Sequence, residues 1–123
     1  MSRDRAKDVL DFTDDSIEVV ESMLAEAAAH ARRMTEQALV RLSQDVGCYI
    51  LEVARRNHGG AYEWAADRNE PALVFKGPQL AITLFCWDRV RARLGGGESI
   101  SAFYASYVAH VQRAKPGDRV ILL

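Results

Sequence analysis

Glu52, Arg55, Arg56 and His58 fall within one stretch of seven residues, with Tyr62 and Trp64 close behind. A carboxylate with cations three and four residues later has the spacing at which helix side chains meet. A histidine titrates near neutrality and can move a proton or hold a ligand. At a helix end beside two aromatic rings, Glu52, Arg56 and His58 would suit a polar small molecule. The same residues also have a structural reading. Glu52 would hold its arginines in an ion pair that braces the strand after Gly60, and His58 would serve the free carbonyls at the helix end.

The other chemistry-bearing residues carry weaker signals. His30 and His110 have no Asp, Glu or Cys at metal-ligand spacing, so neither a metal site nor a cofactor is predicted. Cys48 and Cys86 form no CxxC pair and read as reduced thiols, buried as small hydrophobes. Gly95-Gly96-Gly97-Glu98-Ser99 has the glycines of a phosphate loop, but it lacks the lysine and follows a helix, so it reads as a connection between helices. Phe103, Tyr104, Tyr107, Trp64 and Trp87 recur at helical and strand spacings that favour core packing over a ligand pocket. No catalytic constellation emerges.

These residues need elements to position them. Thr13-Asp14-Asp15-Ser16 offers N-caps, and Glu18 three residues after Asp15 has the spacing of a capping box. A first helix should start there, with Val20, Met23, Leu24, Ala27, Ala31 and Met34 on one stripe. Thr35 should cap a second helix carrying Leu39, Leu42, Val46, Tyr49, Ile50 and Val53, stopped by Gly59 or Gly60. Beyond the glycines the apolar period shortens. Tyr62 and Trp64, then Ala72 to Phe75, then Leu80, Ile82 and Leu84 predict a three-stranded antiparallel meander. A short helix over Trp87 to Leu94 and a C-terminal helix opened by Ser99 or Glu98 complete the pattern, and Val120 to Leu123 should form a short edge strand or a packed tail. Helix, helix, strands, helix, helix lacks the alternation of a doubly wound sheet, so the predicted class is α+β, with the helices packed on one face. Residues 1–12 are expected to be mobile, and residues 13–123 to form one domain.

Composition narrows the possible partners. The 123 residues are 49% hydrophobic and carry 16 basic against 17 acidic side chains, and a chain of this length buries roughly two-thirds of its unfolded surface. Near-neutral charge argues against a dedicated nucleic-acid binder. The acids are nonetheless concentrated at the start: residues 1–26 hold eight acids and three bases, leaving nine acids and thirteen bases in the rest. The longest apolar run, Leu80 to Trp87 with Thr83 inside it, is eight residues, far below the roughly 20 of a membrane helix. The N-terminus lacks the apolar stretch of a signal peptide, so a cytoplasmic location is expected.

The run Cys48-Tyr49-Ile50-Leu51-Glu52-Val53-Ala54-Arg55-Arg56-Asn57-His58-Gly59-Gly60-Ala61-Tyr62-Glu63-Trp64 resembles small bacterial domains of unknown function. Those have an aromatic-x-x-Glu helix, a Gly-Gly stop and a strand bearing tryptophan. The likeness extends loosely over residues 35–110 and departs at Leu51, where that family has a glycine. It implies a compact α+β bacterial cytosolic domain and brings no catalytic residues.

The leading expectation is therefore a non-enzymatic binding or protein-interaction domain. Its ligand or partner surface would be formed by Glu52, Arg56, His58, Tyr62 and Trp64, and it would serve a protein partner or self-association. The alternative is a small-molecule sensor or enzyme whose polar pocket is made by Glu52, Arg56 and His58.

Overall fold

A computed structural model describes residues 9–123. Helix α1 spans Ser16–Ala28 and is followed by one 3₁₀ turn, Ala31–Arg33, and by the long helix α2, Glu36–His58. Strands β1 (Ala61–Ala65), β2 (Glu70–Gly77) and β3 (Leu80–Leu84) come next, then α3 (Trp87–Leu94), α4 (Ile100–Gln112) and β4 (Arg119–Leu122). The domain is α+β; β1, β2 and β3 pair antiparallel in sequence order as the meander requires, but the sheet is larger than the three strands read from the sequence, and mixed. Four strands lie in the order β1-β2-β3-β4, with β4 parallel to β3. The reason is the connection: α3 and α4 carry the chain back to the start of β3, so the apolar tail enters the sheet in the direction of its neighbour.

Local chemistry explains three of the helix ends. Thr35 Oγ1 accepts from Ala38 N at 3.1 Å, Ser99 Oγ accepts from Ala102 N at 3.0 Å, and Gly59 closes α2 with φ +87°. The capping box at the start of α1 does not form. Asp15 is the N-cap residue but makes no side-chain cap bond, and Asp14 is drawn into tertiary contacts instead. The helix also ends at Ala28, short of the predicted stripe, and Met23 is 46% exposed.

The main core joins Ile17, Val20 and Leu24 of α1 to Ile50, Leu51 and Val53 of α2, to Leu73, Ile82 and Leu84 of the sheet, and to Phe103, Tyr104 and Tyr107 of α4. The alternate β2 residues, Ala72 and Val74, pack with Phe85 in a second, smaller cluster, as the two-residue period of a strand requires. Helices α2 and α3 approach closely at Gly47, where an added Cβ would lie 2.7 Å from Trp87 Cδ1. Cys86 is buried, but Cys48 is exposed beside Trp87, whose indole N–H points at its sulfur at 3.5 Å. One step around the helix from Gly47 is enough to carry Cys48 out of the packed stripe.

Of the segment expected to be mobile, residues 1–8 lie outside the described residues. Phe12 is attached to α2: its N–H donates to Tyr49 Oη at 3.0 Å, and its carbonyl accepts from Asn57 Nδ2 at 2.8 Å. Its ring lies 4.7 Å from that of Tyr49, and the Arg56 guanidinium sits 3.9 Å over its face.

Candidate functional site

The last two turns of α2 put Glu52, Arg55 and Arg56 on one side of the helix, and the Gly59-Gly60 turn brings β1 back alongside. Gly60 has φ +106°, and an added Cβ would meet Leu73 and the Val74 carbonyl at 3.2 Å. Glycine is therefore needed both for the turn and for its close approach to β2. The return of β1 places Tyr62 over Glu52. Glu52 Oε1 accepts from Arg55 Nε at 2.9 Å and from the Tyr62 hydroxyl at 2.6 Å, while Oε2 accepts from Arg55 Nη2 at 2.6 Å and Arg56 Nε at 2.7 Å. Both oxygens are thus doubly occupied.

The electrostatics follow from this geometry. Hydrogen bonds from Arg55, then Tyr62, then Arg56 hold the Glu52 carboxyl well below the usual carboxylate range. Burial and the adjoining carboxylate push the Tyr62 hydroxyl up, and Glu52 also raises Arg55. A carboxylate so strongly committed to its charged form is a poor proton acceptor near neutrality. Structurally it is a clasp between α2 and β1.

His58 belongs to a different cluster. Its Nε2 lies 3.1 and 3.0 Å from the two oxygens of Asp14, and the Tyr104 hydroxyl donates to Asp14 Oδ1 at 2.6 Å. A carboxylate only accepts, so Nε2 carries the hydrogen. Burial first, then Asp14, pushes the Tyr104 hydroxyl up. Asp14 and Tyr104 are 44 and 46 residues from His58 along the chain, and no local pattern announces them. The structure therefore brings Glu52, Arg56 and Tyr62 together and takes His58 to the start of α1. Trp64 joins neither cluster, nor the core its spacing suggested: it stands on the terminal strand β1, where no element among the described residues covers it, with 61% of its surface exposed.

Clefts occur along the outer side of α1, between α1 and α2, along the first half of α2 and beside Gly95-Gly96. Glu52, Arg56, His58, Tyr62 and Trp64 line none of these four. Among the described residues, no three His, Cys, Asp or Glu side chains gather to hold a metal ion, and no helix is long and apolar enough to cross a membrane. Cys86 is buried, which pushes its thiol up and away from nucleophilic use.

Sequence reasoning missed a further polar group. Glu70, only 4% exposed, takes Arg68 Nε on Oε2 at 3.0 Å, and Arg68 reaches Asp88 at 2.9 Å while lying 4.6 Å over the Phe85 ring. Glu70 Oε1 is buried with no partner among the described residues, and burial raises its carboxyl. The signal available in the sequence was Arg68 two residues before Glu70, but it gave no sign of burial.

No family model matches this chain, and neither the curated proteins nor the solved structures contain a significant match to it.

Proposed function

We propose that this is a protein-interaction domain without catalytic activity, related to the small bacterial domains it resembles, and that it binds an extended polypeptide segment along β1. The observation that carries the reading is the state of that strand. β1 is the terminal strand of the sheet and pairs only with β2; its first four residues are exposed, with Tyr62 at 45% and Trp64 at 61%. A terminal strand presents a row of unpaired N–H and C=O groups to which another chain can add. Exposed tyrosine and tryptophan are the side chains that most often anchor such contacts. The Glu52 clasp holds Tyr62 in place before a partner arrives, which lowers the ordering cost of binding.

The sensor or enzyme alternative has less support. It needs Glu52, Arg56 and His58 to converge on one hollow, whereas Glu52 is spent on Arg55, Arg56 and Tyr62, and His58 on Asp14.

The test is Trp64→Ala, together with light scattering, hydrogen exchange and affinity capture on the full chain. The expected result is unchanged thermal stability and loss of the partner, with wild-type β1 amides becoming protected when the partner binds. If the wild type is a dimer that Trp64→Ala dissolves, the added strand comes from a second copy. A metabolite or nucleotide that raises the melting temperature of the wild type but not of Glu52→Gln would overturn the reading, because only binding to the folded state stabilises it.

A further inference from the structure

Helix α1 packs more closely on α3 and α4 than on α2 and leaves an apolar cleft of about 370 Å³ between itself and α2. Val20 and Leu24 line it from α1, Leu42 and Val46 from α2, and Leu10 and Met23 expose 43% and 46% of their surface beside it. Met23 also lines the adjoining cleft along the outer side of α1. Across the two clefts the acids are Asp11, Asp15, Glu18, Glu26 and Asp45, and among the described residues no lysine or arginine lines either one. None of these five acids is in an ion pair among the described residues.

We infer that this cleft is a docking groove for a basic amphipathic helix of a partner protein. The groove is walled by two helices whose apolar residues recur every three or four positions, and ridges of that spacing accept the ridges of a third helix. Its apolar floor calls for leucine-like side chains on the partner; Asp45 on one side, and Asp11, Asp15, Glu18 and Glu26 of the adjoining cleft on the other, call for lysine and arginine flanking them. Two other occupants fit less well. Residues 1–8 supply the bases Arg3, Arg5 and Lys7 but little apolar bulk besides Met1. A second copy docked face to face would set five acids against five acids. The inference is independent of the strand-addition reading, which concerns the last two turns of α2 and the sheet edge, whereas the groove is lined by Leu42 to Tyr49 in the middle of that helix.

The probe is a synthetic peptide of about four helical turns, with leucine at the first, fourth, fifth and eighth positions of its repeat and lysine or arginine on both flanks. A control peptide keeps the leucines and replaces the bases with glutamate. Fluorescence anisotropy with the full-length chain should show the basic peptide binding at least about tenfold more tightly than the acidic one, with the preference shrinking as salt rises. Met23→Lys changes an exposed residue and should abolish binding without lowering thermal stability, while Asp45→Lys should weaken it. Trp64→Ala should leave it intact, so failure here is distinguishable from failure at β1. Equal binding of the two peptides, no binding, or binding unaffected by Met23→Lys overturns the inference. Binding that appears only after Arg3, Arg5 and Lys7 are replaced by serine also overturns it and makes the chain's own first residues the occupant. A wild-type dimer dissolved by Met23→Lys overturns it in favour of a second copy.

Discussion

Replacing Glu52 with glutamine tests the clasp between α2 and β1. The substitution keeps the side-chain length and one carbonyl oxygen, so Tyr62 retains an acceptor, but its hydrogen bond is no longer to a charge. Hydrogen bonds to charged groups contribute about 1.5–3 kcal/mol against about 1 for neutral ones, so this change costs about 1 kcal/mol at a partly exposed position. The bonds from Arg55 and Arg56 are at i,i+3 and i,i+4 with half-exposed guanidiniums, and pairs of that kind add only a few tenths. The total is about 1–1.5 kcal/mol, or a melting temperature lower by about 3–6 °C at pH 7 for a domain of this size. The pH dependence has a defined sign. The folded-state pKa of Glu52 lies below its unfolded value of 4.5, so the unfolded chain binds more protons as the pH falls. The stabilisation is fully present above that value and is lost progressively below it. The gap between wild type and Glu52→Gln should therefore close towards pH 3. Tyr62→Phe should lose a similar amount, and the double variant less than the sum, because both remove the same bond. Urea or thermal denaturation of the four proteins across pH reads all of this. Equal stability of wild type and Glu52→Gln at pH 7, strictly additive losses, or a gap that widens in acid would refute the clasp.

Three further predictions concern packing and burial. Gly47→Ala should destabilise the protein by about 1–3 kcal/mol in urea denaturation, because the new methyl would sit 2.7 Å from Trp87 Cδ1; a gain from helix propensity alone would show that α2 and α3 do not approach there. Gly60→Ala should cost at least about 1 kcal/mol through its φ of +106° and the contact with the Val74 carbonyl, and an unchanged denaturation midpoint would contradict the turn. Glu70 should act opposite to Glu52. Its pKa is raised by burial, so its contribution is fully present below its unfolded value and is lost as pH rises through the folded one. Glu70→Gln should flatten that part of the stability profile, and a profile identical to wild type would place Glu70 in solvent.

Much of the architecture could be read from local pattern. Thr35, Ser99 and Gly59 mark helix ends through bonds and dihedral angles that depend on a few neighbouring residues. The meeting of Glu52 with Arg55 and Arg56 is legible for the same reason, since the helical repeat alone brings them together. The alternation of Leu80, Ile82 and Leu84 identifies β3. The first helix was less legible, because tertiary contacts claim Asp14 and leave Asp15 without a cap bond.

Tertiary structure alone decided the direction of β4, since an apolar tail of four residues is equally compatible with parallel or antiparallel pairing until α3 and α4 set where the chain returns. It also decided the partners of the polar groups. Tyr62 reaches Glu52 only because Gly60 turns the chain back, and His58 meets Asp14 across 44 residues because the start of α1 lies against the end of α2. Exposure was decided in the same way: Met23 and Cys48 have the apolar character and nearly the spacing of core residues, yet both stand at the surface. Periodicity tells which residues share a face, but only the positions of neighbouring elements tell which faces are covered.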